Sequence, residues 1–141
     1  PQSSNIFTFF KSSFSVGVLI SGGSNFGSPS NTTELFVPSS NHSCSLPSLP
    51  DDRLQHSVES SGLLCGGFFT NDSCLQWSPD NGTWENLTLN VGRFWHVSWS
   101  PVTDNGTYLI GGGDSRMTNL TTTLIKPDGT QEPGFTLNYS T

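Results

Sequence analysis

Leu19-Ile20-Ser21-Gly22-Gly23, Leu64-Cys65-Gly66-Gly67 and Leu109-Ile110-Gly111-Gly112 repeat one short phrase, an apolar run stopped by a glycine pair. The first glycines are 44 residues apart from Gly22 to Gly66 and 45 from Gly66 to Gly111. A near-constant step of that length marks one supersecondary unit used several times. The unit is made of short strands, because the apolar spacing of an amphipathic helix is absent.

Other features fall in step with the glycines. Arg53-Leu54-Gln55-His56 and Arg93-Phe94-Trp95-His96 share an Arg-x-x-His spacing and lie 40 residues apart, each leading through a strand to the next Gly-Gly. Nine residues before each arginine stand Cys44 and Trp84, which this spacing places as equivalents. Thr33 to Pro38, Cys74 to Pro79 and Thr123 to Pro127 each read as a strand stopped by proline, the last two running into Asp-Asn-Gly and Asp-Gly turns. The reading is an all-β chain of four-stranded units. A period of about 40 to 50 residues with four short strands is that of a propeller blade.

These residues resemble kelch repeats, in which a strand ends in Gly-Gly, an aromatic residue lies near the outer strand and a basic residue precedes the inner strand. The resemblance implies about three four-stranded kelch-type blades, part of a β-propeller, over residues 1–141: blade 1 at about 5–48, blade 2 at about 53–89 and blade 3 at about 93–139. It places inner strands at Asn5 to Phe10, Arg53 to Ser60 and Arg93 to Trp99, the first without an Arg-x-x-His. Gly22, Gly23, Gly66, Gly67, Gly111 and Gly112 are expected where blades crowd, since a residue without Cβ permits close backbone approach and positive φ. Trp84 is expected to pack on the outer strand, and the recurring Arg53, His56, Arg93 and His96 to be structural hydrogen-bonding elements.

Three blades do not close a ring, for which about four to eight are typical. Another inner strand is due just beyond Thr141. The expected partners are therefore further blades, on a longer chain or on other chains, in a ring or a polymer.

Eight of the eleven asparagines begin an Asn-x-Ser/Thr sequence: Asn31, Asn41, Asn71, Asn81, Asn86, Asn105, Asn119 and Asn138. Chance gives roughly three. None falls on an expected inner or Gly-Gly strand, and a bulky sugar is tolerated only on exposed sites, so the pattern implies a secreted or extracellular N-glycosylated protein. Cys65, ending a Gly-Gly strand, and Cys74, opening the next, are expected to form a disulfide, with Cys44–Cys65 as the alternative. Under the first pairing Cys44 seeks a partner in another segment or chain.

Charged residues make up 11% of the chain, against about 25% in an average domain. The net charge of −6 repels a phosphate backbone, and no basic stripe is present, so nucleic acid is not an expected partner. No apolar run is long enough to form a transmembrane helix; Phe7 to Ile20 reads as two strands interrupted by Lys11 and serines.

Catalytic groupings are scarce. Neither His-Glu-x-x-His nor Cys-x-x-Cys occurs, so no cofactor or metal is assigned. His42 lies in an expected loop, and Asp51, Asp52, Asp80 and Asp128 lie in expected turns, where aspartate is favoured for local hydrogen bonds. Gly111-Gly112-Gly113-Asp114 lacks the strand-to-helix setting of a phosphate loop. Secreted galactose oxidase resembles this architecture, but its tyrosine-rich copper site would have only Tyr108 and Tyr139 to draw on, each on an expected strand. Trp77, Trp84, Trp95 and Trp99 are expected in the core between blades. The expected function is a non-catalytic structural, adhesive or protein-interaction module; the alternatives are a fragment of a carbohydrate oxidase or a sugar-binding module.

Overall fold

A computed structural model describes residues 6–11, 16–25, 28–59, 61–68, 70, 72–101, 106–112 and 121–137. Among these there is no helix, and fourteen strands form three four-stranded antiparallel sheets and one two-stranded ladder. The first sheet joins β1 (Ile6–Lys11), β2 (Val16–Ser21), β5 (Thr33–Val37) and β6 (His42–Leu46) in that order. Between them, β3 (Ser24–Asn25) and β4 (Ser28–Pro29) form the ladder, which the sequence did not announce. The second sheet runs β7 (Ser57–Val58), β8 (Leu63–Cys65), β9 (Ser73–Ser78), β10 (Thr83–Thr88). The third runs β11 (Val97–Trp99), β12 (Thr107–Ile110), β13 (Thr121–Ile125), β14 (Gln131–Thr136).

Turn chemistry sets the hairpins. Gly82 in the β9–β10 turn and Gly129 in the β13–β14 turn take positive φ, and their N–H groups bond Ser78 O and Lys126 O. Pro133 lies on β14, an edge strand, where its missing N–H interrupts no central ladder.

Burial along the Gly-Gly strands shows how the sheets stack. In β2, Gly17, Leu19 and Ser21 are buried while Val18 and Ile20 are half-buried. In β8, Leu63, Leu64 and Cys65 are all buried. In β12, Thr107 and Leu109 are buried while Tyr108 and Ile110 are half-buried. Successive strand residues point to opposite faces. The second sheet is therefore covered on both faces, and the outer two on one.

Two apolar cores follow from this alternation. Leu64 and Leu75 of the second sheet meet Leu19, with Leu49, Val58, Leu46 and Trp84 around them. Leu63, Cys65 and Cys74 on its other face meet Leu109 and Ile125, with Leu89 and Leu87. Peripheral bonds join the sheets: Trp84 Nε1 donates to Pro47 O at 2.9 Å, and Gln131 accepts from Asn90 N and donates to Thr88 O.

Cys65 and Cys74 sit directly opposite each other on β8 and β9 and are disulfide-bonded. The bridge lies within the second core.

Three expectations need correction. The inner strands begin at Ser57 and Val97, so Arg53 and Arg93 belong to the loops that enter them. Cys44 and Trp84 are not equivalent: Cys44, third on β6, is exposed, whereas Trp84, second on β10, packs on the core. The tryptophans divide, Trp77 and Trp84 half-buried against each other, Trp95 and Trp99 exposed.

Gly66 and Gly82 have the same φ of +63°, but a Cβ on Gly66 would come within 2.1 Å of Arg93 O while one on Gly82 meets nothing within 4 Å. Gly66→Ala is expected to destabilise the protein by about 3 to 5 kcal/mol, combining backbone strain with overpacking, and Gly82→Ala by about 1 kcal/mol. Urea unfolding of the two variants checks this, and equal losses would contradict it. Reducing the disulfide is expected to cost about 2 to 3 kcal/mol in the same assay.

Candidate interaction surface

The Arg-x-x-His loops are the joints of the stack. The Arg53 carbonyl accepts the Gly23 N–H of the preceding sheet at 2.8 Å, and the Arg93 carbonyl accepts that of Gly67 at 3.2 Å. Each arginine side chain turns the other way, into its own sheet. Arg53 Nη1 donates to Gly66 O and Ser73 O, and Nη2 to Ser73 Oγ. Arg93 Nη1 donates to Gly111 O and Thr121 O, and Nη2 to the Thr121 and Thr123 hydroxyls. The motif thus bonds the preceding sheet with its main chain and its own sheet with its guanidinium.

Both arginines are fully buried. Burial lowers Arg53 to about 10, opposed by the charges of Asp51 and Asp72, and also lowers Arg93. They stay charged at neutral pH because carbonyl and hydroxyl oxygens replace water around them. Asp51, expected simply as a turn residue, also stands 3.6 Å from Arg53.

The histidines complete the joints differently. His56 Nε2 lies 2.9 Å from Ser21 Oγ on the Gly-Gly strand of the first sheet. In the second sheet the residue before the glycines is Cys65, held in the disulfide, and His96 Nε2 instead bonds Ser57 Oγ on the inner strand at 2.7 Å. Burial, helped by Arg53 and then His96, holds His56 down to about 3; burial, helped by Arg93, holds His96 down to about 4.

Between arginine and histidine, the third motif residue takes a left-handed conformation: Gln55 at φ +60° and Trp95 at φ +52°. Neither residue type favours that region, so the surrounding bonds enforce it. Trp95 N donates to Gln55 O, which sets the two loops side by side. Trp95 is 68% exposed and packs on buried Phe94, which in turn makes an edge contact with exposed Phe68. Phe68 is anchored by its N–H on Leu54 O. The five buried side-chain atoms without a hydrogen bond among the described residues all belong to these loops: Arg53 Nε, Gln55 Oε1, His56 Nδ1, Arg93 Nε and His96 Nδ1. The result is an aromatic pair displayed beside a polar, tightly buttressed joint.

Elsewhere the chemistry is dispersed. A cleft of about 590 Å³ opens between the second and third sheets, lined by Leu63, Gln76, Glu85, Lys126 and Asp128 among others. Its charges are already engaged: Lys126 bonds Glu132, which raises the Lys126 pKa, and Asp128 accepts from Thr130 N, which lowers the Asp128 pKa. Among the described residues no three His, Cys, Asp or Glu side chains gather as a metal site. His42 is exposed on β6, and Tyr108 lies on β12 stacked on Trp99. Tyr139 lies outside the described residues.

Of the sequon asparagines, Asn41, Asn81 and Asn86 are exposed. Asn31 is half-buried, with Nδ2 donating to Leu49 O at 3.2 Å. Asn71, Asn105, Asn119 and Asn138 lie outside the described residues. Cys44 is free and exposed.

No family model and no curated protein matches the sequence. The fold matches 113 solved chains, a breadth that speaks for architecture rather than for one activity. Among them is the structure of YjhT, at a TM-score of 0.76 and 13% identity, covering 99% of this chain and 54% of that one. The fold is β-propeller-like. At that identity the likeness is one of fold alone, and the chain spans about half the length of the YjhT chain.

The buried histidines make stability depend on pH. Unfolded histidine titrates near 6.5, whereas His56 and His96 titrate at about 3 and about 4 in the fold, so between these values the unfolded chain holds more protons. Stability is therefore full above about pH 6.5 and falls as pH drops, with a slope approaching about 1.4 kcal/mol per pH unit for each histidine. Urea midpoints at pH 7.5, 6 and 5 measure the slope. His56→Asn with His96→Asn should flatten it, and a flat wild-type profile would contradict the assignment.

Proposed function

We propose that the chain is an extracellular, N-glycosylated propeller module of kelch type that holds a protein partner on its loops and turns over no substrate. The observation that carries the reading is the pair Trp95 and Phe68, exposed aromatic side chains whose backbone N–H groups bond Gln55 O and Leu54 O at the inter-sheet joint. Loops carried by a stiff scaffold are favourable sites of recognition. Large aromatic side chains supply contact area with little loss of rotamer freedom.

The extracellular part of the reading draws on other features. The exposed Asn41, Asn81 and Asn86 sequons leave room for carbohydrate. A disulfide between neighbouring strands suits an oxidising compartment. With charged residues so sparse, attached sugars would also supply solubility. Further sheets, on the same polypeptide or on other chains, would complete the propeller. A sugar ligand is the second reading, favoured by the open face of Trp95.

Two measurements test the proposal. Intact mass of the protein secreted from eukaryotic cells should fall after an amidase removes Asn-linked glycans; an unchanged mass would remove the glycoprotein reading. Binding to immobilised extracellular-matrix proteins should drop at least about tenfold in Trp95→Ala, while stability changes by less than about 0.5 kcal/mol because the side chain is largely solvated. Binding confined to an oligosaccharide panel would favour the second reading.

A further inference from the structure

The register makes three faces directly comparable. The residue before each glycine pair faces the next sheet in the series: Ser21 toward the second and Cys65 toward the third. Its counterpart on the third sheet is Ile110, and the inner-strand residue paired with it is Val97, as Ser57 is paired with Cys65. Two positions earlier on the Gly-Gly strands stand Leu19, Leu63 and Tyr108. Leu19 is 0% and Leu63 6% exposed because a following sheet covers them. Around Tyr108 the same face displays Val97 at 64%, Trp99 at 52% and Phe135 at 48%.

The glycines show the same unfinished joint. Gly111 and Gly112 hold positive φ like Gly22, Gly23, Gly66 and Gly67. Gly23 and Gly67 donate to the carbonyl of an arginine entering the next sheet, whereas among the described residues no carbonyl accepts from Gly112. Yet the side chains around this joint have changed. Ser21 and Ser57, which receive His56 and His96, are replaced here by Ile110 and Val97. A histidine placed over them would lose its hydrogen bond, at the cost of a buried polar group left unpaired.

We propose that the outer face of the third sheet, formed by Val97, Trp99, Tyr108, Ile110 and Phe135, seats a further antiparallel sheet whose entry loop gives Gly112 a backbone carbonyl and sets an apolar side chain where the earlier loops carry histidine. The occupant continues an interface that the molecule already builds twice. It is not a second copy of this chain. Counting back from β1 by the interval that separates Arg53 from β7 and Arg93 from β11 reaches Gln2-Ser3-Ser4-Asn5 in the sequence, so a second copy offers a polar residue at the histidine place. The inference rests on the propeller-module reading above but not on its glycans, which are measured separately.

The test places the photo-crosslinking residue p-benzoylphenylalanine at Val97 or, separately, at Trp99, in the protein expressed in eukaryotic cells. After irradiation, peptide mapping should find crosslinks to one strand-and-loop segment of a different repeat, with an apolar residue at the histidine place. In parallel, the Gly112 amide should exchange at least about 100-fold more slowly in the protein than in a Val97→Asp, Trp99→Asp variant, which unseats the further sheet. Crosslinks to a second copy, a mapped loop carrying histidine, or equal exchange of Gly112 in the two samples would each overturn the proposal.

Discussion

A backbone carbonyl standing where a side chain would have to be is the constraint on which this stack of sheets depends. Arg53 O comes within 2.4 Å of the place of a Cβ on Gly22, and Arg93 O within 2.1 Å of one on Gly66. That approach lets the following glycine N–H bond the same carbonyl, so successive sheets are tied by main-chain hydrogen bonds as well as by apolar packing. A main-chain tie is indifferent to most side chains. It tolerates wide divergence elsewhere in the repeat, and forbids it at the glycines.

The arginine solves a second problem at the same place. In the second and third sheets the carbonyls of Gly66 and Ser73, and of Gly111 and Thr121, turn toward a buried guanidinium. Arg93 reaches Gly111 O, Thr121 O and two threonine hydroxyls with a single planar fork. A lysine ammonium is a compact point charge and lacks the span to serve both strands in this geometry. The charge survives burial because oxygens surround it, and the neutral histidine three residues on leaves that balance undisturbed.

Much of this was legible in the sequence. The Gly-Gly interval gave the repeat, prolines and Asp-Gly turns bounded the strands, and Cys65 and Cys74 stood where antiparallel neighbours would oppose them. Sequence alternation tells which residues share a face but not which faces meet a neighbour, and so Trp99 was placed in a core that the described fold does not close over it. Trp95 escaped for another reason. Its left-handed backbone is imposed by bonds on either side of it, with no glycine or asparagine to announce it. The equivalence of Cys44 and Trp84 failed because counting back from arginine crosses connections of unequal length: Arg53 follows the start of β6 by eleven residues, Arg93 that of β10 by ten.

Repetition of the backbone does not make the sheets interchangeable. The cross-strand pair just before the glycines is Ser21 with Thr33 in the first sheet, Cys65 with Cys74 in the second and Ile110 with Thr122 in the third. The hydroxyl of the first receives a histidine, and the disulfide of the second diverts the next histidine to Ser57. Each joint is thus fitted to one neighbour. An exchanged sheet would meet the same carbonyl but strand either a histidine without an acceptor or a hydroxyl without its partner, a penalty of about 1 to 3 kcal/mol at every wrong joint. The glycines and arginines therefore account for the existence of the stack, and the differences among these three pairs account for its order.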